Sequence, residues 1–316
     1  MSYLNTAVDK VYVINMDKDT DRLKRFDEQM KRLQISYKRV PGIVGGDVGT
    51  HENLSKFCNQ FCTAGMKGCA LSHRAIWEDM LKNRYENVAI FEDDAVLDPD
   101  FNRKFREGWQ QLPNDYDVYY LGCDAMCEKS DISSKIYNTI LDTHPEHVDQ
   151  NLNSVSGSIG THGYILSEKC AKIILDAPIH THIDSQISMW IHEFNLKAYS
   201  ISPVIVTVNE IGDSALSETF PLLLNSIFHP IIVFETRPLD WVLGENSIQI
   251  GWYSINALIV ILSALILLLP FRFTPYVLGW IVLEGLYARD VKNTSKFIQI
   301  LGGLLLVRYG LRRIML

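Results

Sequence analysis

The sequence lacks an excess of basic residues and has no apolar segment at its beginning. Its 30 Lys and Arg stand against 37 Asp and Glu, for a net charge of −7. This balance argues against a general nucleic-acid binder, because such proteins need positive charge to neutralise phosphates. The first ten residues contain no apolar core of the kind that a secretory signal requires. We therefore expect a cytosolic chain with reduced thiols.

Cysteine is scarce and is not spaced for a typical zinc site. The six cysteines include two pairs at a separation of four, Cys58 with Cys62 and Cys123 with Cys127. Zinc-binding pairs usually have two intervening residues. We interpret the cysteines as small buried apolar residues.

A phosphate-binding loop of the P-loop type is also missing. The glycines at Gly45-Gly46 are not followed by the Lys-Ser/Thr that opens a helix in that motif. Disorder is unlikely, since 47% of the residues are hydrophobic and only 21% are charged. The 316 residues suffice for one large domain or two ordinary ones. Short apolar runs alternate with helical patterns, which predicts an α/β fold.

Three consecutive carboxylates, Glu92-Asp93-Asp94, follow the apolar run 88–91. The run predicts a buried strand, and ligands of open α/β sheets bind at the carboxyl ends of strands. Alternation along an extended chain would place Glu92 and Asp94 on one side and Asp93 on the other. Such a cluster suits Mg²⁺ or Mn²⁺, with a diphosphate completing the coordination. The alternative is a solvated acidic turn.

The first strand–turn–helix unit is a second candidate site. Residues 11–15 read as a strand, and Leu23, Phe26, Met30 and Leu33 give the following helix one apolar face. Arg22 lies near the helix start, where backbone N–H groups already favour phosphate. Asn15, at the end of the strand, would hydrogen-bond a base or ribose, or simply cap the turn.

Polar residues at two later helix starts are further candidates. Ser72 and His73 lie early in a predicted helix that runs to Asn83, and either reach a ligand or are structural. They do not form a hydrolytic pair, because adjacent residues of a helix do not face each other. Asp184 opens another helix and is either an N-cap or a second active carboxylate. The polar stretch 123–155 is predicted to be irregular, a flap or an insertion.

Taken together, five motifs resemble glycosyltransferase family 25, which includes lipopolysaccharide-core sugar transferases and procollagen galactosyltransferases. The motifs occur in the family's order between residues 10 and 217: Val-Tyr-Val-Ile-Asn-Met-Asp at 11–17 with Arg22 after it, Gly68-Cys69-Ala70-Leu71-Ser72-His73, Phe91-Glu92-Asp93-Asp94, Thr161-His162-Gly163-Tyr164-Ile165-Leu166-Ser167, and Ile183-Asp184. One departure is Met66, where the family often has an acidic or polar residue.

The resemblance implies a GT-A-type fold, that is, a Rossmann-like mixed sheet flanked by helices. It also implies a nucleotide-diphosphate sugar, UDP-sugar favoured, as donor and Mn²⁺ or Mg²⁺ as cofactor. The reaction would be transfer of a hexose, galactose or glucose favoured, to a glycan, lipid-linked or protein acceptor, with inversion.

On this reading the site residues take separate roles. Glu92 and Asp94 hold the metal, and Asp93 contacts the ribose or donor sugar and is also a catalytic candidate. Asp184 is the leading candidate for the base or for orienting the acceptor. Asn15, Arg22, Ser72, His73 and His162 complete the donor site, although for each histidine a packed structural role is an equal alternative.

The end of the chain differs from the rest. From residue 251 onward seven basic residues stand against two acidic ones, and residues 255–269 carry no charge. We expect a transferase domain at 1–236, a linker at 237–250 and a membrane-anchoring tail at 251–316, formed by a helical hairpin and an interfacial helix. The protein would then be membrane-associated with its catalytic domain in the cytosol. The competing hypothesis is a catalytically inactive membrane protein that binds nucleotide sugar or glycan.

Overall fold

The computed structural model describes residues 2–123, 126–127, 135, 138–139, 144–208, 223, 233–234, 237–238, 247–251, 253–288 and 291–315. The chain divides into two compact units, Met1–Asp213 and Ser214–Leu316. The predicted linker lies partly outside the described residues, so the predicted domain boundaries stay predictions.

The first unit is built on an eight-stranded mixed sheet. Its strand order is β2-β1-β3-β8-β5-β9-β7-β6. The strands of the unit are β1 (Lys10–Asn15), β2 (Lys38–Pro41), β3 (Asn87–Glu92), β4 (Ala95–Leu97), β5 (Val118–Tyr120), β6 (Glu146–Asp149), β7 (Leu152–Ser154), β8 (Gly163–Ser167), β9 (Ala198–Ile201) and β10 (Val206–Val208). Strands β2, β1 and β3 are parallel, and β8 runs antiparallel between β3 and β5. Strands β4 and β10 form a separate antiparallel pair.

Helices cover both faces of this sheet, as predicted. They are α1 (Leu4–Ala7), α2 (Thr20–Arg32), α3 (Lys56–Phe61), α4 (Ala64–Asn83), α5 (Phe101–Gln111), α6 (Glu168–Leu175) and α7 (Ile183–Glu193). Alternation along the strands divides the core in two. Tyr12 packs with Trp77 and Trp190 in one cluster, whereas its neighbour Val13 packs with Phe26 in the other. Successive residues of a strand point to opposite faces, so a strand buried on both faces must be apolar throughout.

The stretch 123–155 is less irregular than the sequence suggests. Strands β6 and β7 form an antiparallel hairpin, and β7 pairs with β9 at the edge of the sheet. Edge strands need little apolar character because one side of the hairpin meets solvent, and all four residues of β6 are exposed. Most of residues 124–143 lie outside the described part.

The expectation of reduced thiols was wrong for four of the six cysteines. Cys58 is disulfide-bonded to Cys62, and Cys123 to Cys127. The first pair lies at the end of α3, where residues four apart share one face of a helix. Cys69 and Cys170 are outside both disulfides.

The described residues of the second unit do not include the predicted hairpin of membrane spans. Its described elements are β11 (Val233–Phe234), β12 (Arg237–Pro238), β13 (Ser247–Ile250), β14 (Tyr253–Asn256), α8 (Ala257–Leu268), α9 (Thr274–Ala288) and α10 (Val291–Met315). Helix α8 has 12 residues, about 18 Å, against a hydrocarbon core of about 30 Å. Among the described residues, no helix combines the length and the apolar character needed to cross a membrane.

The correction has a local cause. The predicted span included residues 251–256, but Gly251 lies in a turn and Tyr253–Asn256 form strand β14. Asn256 then caps α8 by accepting from the backbone N–H of Ile259 at 2.8 Å. Several large apolar side chains of the unit are exposed, Leu268 and Tyr276 among them. Membrane association stays a prediction, which sedimentation of the full chain with lipid vesicles would test.

Candidate functional site

The ends of three strands meet at one edge of the main sheet. Strands β1 and β3 are parallel neighbours that end at Asn15 and Glu92, with Ile14 opposite Glu92. Strand β8 is antiparallel to β3 and therefore begins at the same edge, with Gly163 opposite Phe91. The topology thus brings residues from distant parts of the sequence to the carboxyl end of β3, where open α/β sheets bind their ligands.

Asp93 and Asp94 share one cationic partner. The Nη2 of Arg22 lies 2.7 Å from Oδ1 of Asp93 and 2.6 Å from Oδ2 of Asp94. Asn15 donates from Nδ2 to the other oxygen of Asp93 at 2.6 Å. The predicted alternation of the three carboxylates was wrong, because β3 ends at Glu92 and the next two residues form a turn into β4.

Glu92 faces a different set of groups. Thr161 donates its hydroxyl to Oε1 of Glu92 at 2.7 Å, and Nε2 of His73 lies 3.5 Å from the same oxygen. The His73 ring is fully buried, and its Nδ1 lies 2.9 Å from the hydroxyl of Tyr164. His73 therefore points at Glu92 from helix α4 instead of towards Arg22.

His162 lies beside the acidic cluster and is tightly packed. Its backbone oxygen accepts from the N–H of Glu92 at 3.3 Å, and only 2% of the residue is exposed. A Cβ added at Gly122 would lie 2.3 Å from Nε2 of His162. Gly122 follows β5 and leaves the space that the imidazole occupies.

Asp184 joins the site through the loop before β8. Its Oδ2 accepts from the backbone N–H of Gly160 at 3.1 Å, next to Thr161, which binds Glu92. Its Oδ1 lies 3.1 Å from Nδ1 of His182 and accepts from the N–H of Ser185 at 2.5 Å. Asp184 is thus positioned at the start of α7, as predicted, and is linked to the acidic cluster by a short stretch of chain.

The structure places Ser72, a predicted site residue, in contact with backbone atoms outside the acidic cluster. Its hydroxyl donates to the backbone oxygen of Gly68 at 2.7 Å and accepts from the N–H of Ile43 at 2.8 Å. These bonds attach the loop after β2 to helix α4. Both polar functions of the hydroxyl are therefore engaged by backbone.

Sequence reasoning missed Arg39, Thr161 and Tyr164 as parts of the site. Arg39 donates from Nε to Oδ1 of Asn15 at 2.7 Å, which fixes the amide that holds Asp93. Its position is explained by the parallel pairing of β2 with β1, in which Val13 lies opposite Arg39. The local pattern contains no signal of this pairing, whereas Thr161 and Tyr164 lie inside a motif that had been identified.

The carboxylates of the site differ in proton affinity. Burial raises the pKa of Asp94 to about 6, and the charge of Glu92 adds to this against the attraction of Arg22. Burial likewise raises the pKa of Asp93. For Glu92, burial is outweighed by the interactions with His73 and Thr161, which bring its pKa to about 2.

The pKa of Asp184 is lowered, as is that of Glu92. Burial again acts to raise its pKa, but His182 and the N–H groups of Ser185 and Gly160 outweigh it and hold the pKa well below its usual range. Donors to a carboxylate stabilise its charged form. Asp184 is therefore an anion across the physiological pH range.

The sequence profile described as "Glycosyltransferase family 25 (LPS biosynthesis protein)" matches residues 8–187, more than half of the chain. The chain belongs to glycosyltransferase family 25. This confirms the resemblance drawn from the five motifs, and the matched region contains every residue of the site described above.

The curated relatives that this chain matches are longer than the chain. Procollagen galactosyltransferase 1-A of Xenopus laevis is 28% identical over 268 residues, which cover 74% of this chain and 41% of that protein. A glycosyltransferase 25 family member of Drosophila melanogaster is 24% identical over 228 residues, 63% of this chain and 35% of that protein. The chain thus spans about two fifths or less of the length of these relatives.

Solved structures are more distant. A197 from STIV aligns over 64% of this chain and 85% of its own with a TM-score of 0.34 and 13% identity. A glycosyltransferase involved in glycosylation of the major capsid of PBCV-1 aligns over 58% and 66% with a TM-score of 0.29 and 8% identity. Likenesses at this level add nothing to the functional argument.

The raised pKa of Asp94 predicts a pH dependence of stability in chelator. Because the pKa in the folded state, about 6, lies above the ordinary 3.8, the folded protein binds the proton more tightly than the unfolded chain. The contribution of Asp94 to the free energy of unfolding therefore falls as pH rises from about 4 to about 6, by at most about 3 kcal/mol. The Asp94→Asn variant should lose this component.

The measurement is urea unfolding of the wild type and of the variant at pH 4.5 and pH 7 with EDTA. The stability of the wild type relative to Asp94→Asn should be higher at pH 4.5. The Asp100→Asn variant is the control, since Asp100 is exposed and pairs with Arg103 at the surface. If the free energy of unfolding changed equally with pH in the wild type and in Asp94→Asn, the prediction would be contradicted.

Proposed function

We propose that this family 25 protein transfers a hexose from a nucleotide-diphosphate sugar to a hydroxyl of an acceptor, on a GT-A-type fold. The observation that carries the proposal is the convergence of Glu92, Asp93 and Asp94 with Arg22 and Asn15 at the carboxyl ends of β1 and β3. Galactose is the favoured sugar because several relatives are named procollagen galactosyltransferases. A UDP-sugar is the favoured donor.

The residues fit a divalent cation at Asp94. Its Oδ1 is buried and accepts no hydrogen bond within the structure, although a buried carboxylate oxygen normally has a partner. Oxygen ligands of this kind suit Mn²⁺ or Mg²⁺. Asp94, with Glu92 beside it, would hold the ion, which when bound offsets the charge of the diphosphate leaving group.

Arg22 and Asn15 orient the donor side of the site. Arg22 lies in the first turn of α2, where backbone N–H groups and the helix dipole favour phosphate. Its guanidinium holds Asp93 and Asp94 together and limits the repulsion between them. Asp93 is held by Asn15 on one oxygen and by Arg22 on the other, and its remaining lone pairs would accept from the ribose or the donor sugar.

The pKa values separate two roles for carboxylates. A general base works best when its pKa lies near the working pH, which disfavours Asp184 because its pKa is strongly lowered. Asp184 instead suits an acceptor-orienting role, since an anionic carboxylate accepts hydrogen bonds from sugar hydroxyls. The raised pKa of Asp93 makes it the better candidate to take the proton of the attacking hydroxyl in an inverting transfer.

The alternative is a protein that binds nucleotide sugar without catalysis. One relative, from Bos taurus, is named probable inactive glycosyltransferase 25 family member 3 and is 24% identical over 128 residues, 36% of this chain and 22% of that protein. The acidic triplet of this chain, with its orphaned Asp94 oxygen, favours the enzyme.

The test incubates the purified full chain with Mn²⁺ and a panel of nucleotide sugars, with and without simple sugar acceptors. We expect metal-dependent release of the nucleotide from one UDP-hexose, and EDTA should abolish it. Metal-dependent donor binding without release or transfer would support the inactive binder. The absence of both binding and release would remove the proposed function altogether.

A further inference from the structure

Helix α4 places Cys69 and His73 one turn apart, on the side that faces the end of β3. The Sγ of Cys69, a ring nitrogen of His73 and a carboxylate oxygen of Glu92 all lie within 4.8 Å of one another. Cys69 is outside both disulfides and only partly buried, so it is accessible to small ions. This cluster offers sulfur and nitrogen ligands as well as oxygen, whereas the cation site proposed at Asp94 offers carboxylate oxygens.

The imidazole of His73 has an unsatisfied nitrogen in this cluster. The ring is completely buried, and its Nε2 forms no hydrogen bond within the structure. The Oε1 of Glu92 is 3.5 Å from this nitrogen, which is too long for a good hydrogen bond. A buried polar nitrogen without a hydrogen-bond partner is destabilising, and a cation bound between it and Glu92 would remove that cost.

The other nitrogen of His73 is held as in many metal-binding histidines. Its Nδ1 lies 2.9 Å from the hydroxyl of Tyr164, which in turn accepts from Nε1 of Trp77 at 3.0 Å. In the metal-bound form the ring proton would lie on Nδ1, so that the imidazole donates to Tyr164 and directs the lone pair of Nε2 at the ion. Metal-binding histidines commonly use the second nitrogen in such an outer hydrogen bond, which fixes the ring orientation.

The distances are close to those of a tetrahedral centre. Metal–ligand bonds of 2.0–2.3 Å place neighbouring ligand atoms about 3.3–3.7 Å apart, and the His73–Glu92 distance of 3.5 Å already falls in this range. Sγ of Cys69 lies within 4.8 Å of the other two ligand atoms, so it would need to approach by at most about 1 Å. Three protein ligands then leave a fourth position for water.

We propose that Cys69, His73 and Glu92 bind a zinc-class transition-metal ion. Thiolate, imidazole and carboxylate together match the borderline-soft ligands of Zn²⁺ and Co²⁺, whereas Mn²⁺ and Mg²⁺ prefer oxygen alone. The site does not include Asp94, but it shares Glu92 with the metal site proposed for sugar transfer. An ion bound here therefore withdraws Glu92 from the neighbouring site.

The test titrates Co²⁺ into the metal-free full chain without reductant and follows absorption and bound metal. We expect one equivalent to bind with a thiolate-to-cobalt charge-transfer band that Zn²⁺ abolishes. The Cys69→Ser variant should lose the band and bind Co²⁺ at least tenfold more weakly. The control is Cys170→Ser, which removes the other cysteine outside the disulfides. This variant should retain both the charge-transfer band and the Co²⁺ affinity.

Two further variants keep the outcome interpretable. Asp94→Asn should retain the band and the Co²⁺ affinity, which separates this site from the proposed diphosphate site. Glu92→Gln should retain the band but weaken binding by about tenfold or more, and it replaces Cys69→Ser if circular dichroism shows that the serine variant is unfolded. No band in the wild type, or an unchanged band in folded Cys69→Ser, would overturn the proposal.

Discussion

Asp94→Asn is expected to lower kcat/KM for sugar transfer by about 10²-fold or more, the effect of removing one main electrostatic contact to the developing charge. The substitution keeps the shape of the side chain but removes the charge that would hold a divalent ion. It also removes part of the ion pair with Arg22, whose Nη2 lies 2.6 Å from Asp94. The first measurement is the rate at which the nucleotide is released from the donor at saturating Mn²⁺. The second is the affinity for the donor, measured by calorimetry.

The control for this variant is again Asp100→Asn, which should leave both readouts unchanged. Asp184→Asn gives a second comparison. If Asp184 orients the acceptor, its variant should lose transfer while Mn²⁺-dependent binding of the donor is retained. Unchanged Mn²⁺-dependent donor binding by Asp94→Asn would refute its role as a metal ligand.

The local pattern predicted the elements that carry the site. The runs 11–15 and 88–91 form β1 and β3 nearly as expected, because apolar residues buried on both faces leave few alternatives to a central strand. The helix that begins near Asp184 also forms where expected. The position of the acidic triplet therefore followed from the sequence.

The partners of the triplet did not follow from the pattern. The antiparallel pairing of β8 with β3 joins residues far apart in the sequence, and it brings Thr161 to Glu92, 69 positions away. Likewise, the turn after Glu92 directs Asp93 and Asp94 to the same guanidinium instead of to opposite sides. Such long-range pairing depends on the packing of the whole sheet, which local periodicity does not encode.

The prediction of a membrane span in the tail was wrong for another reason: it gave more weight to the apolar composition than to local signals for where a helix begins and ends. Hydropathy averaged over residues 251–271 suggested a span, but Asn256 caps a helix that begins only at Ala257. Pro270 follows the end of that helix and cannot continue it. The capping residue and the proline were both visible in the sequence and define a shorter element than the apolar run.

Gly45→Ala is expected to lower the free energy of unfolding by about 3 kcal/mol or more, the upper range for overpacking. A Cβ at Gly45 would lie 1.6 Å from the backbone oxygen of Ala64 and 2.8 Å from the N–H nitrogen of Gly68, so the backbone must move. Gly46→Ala is the matched control: a Cβ there meets nothing within 4 Å, and we expect a change within about 0.5 kcal/mol. Urea unfolding measures both, and equal stabilities would show that the loop does not pack on α4. Because α4 also carries His73, we expect Gly45→Ala, but not Gly46→Ala, to weaken Co²⁺ binding.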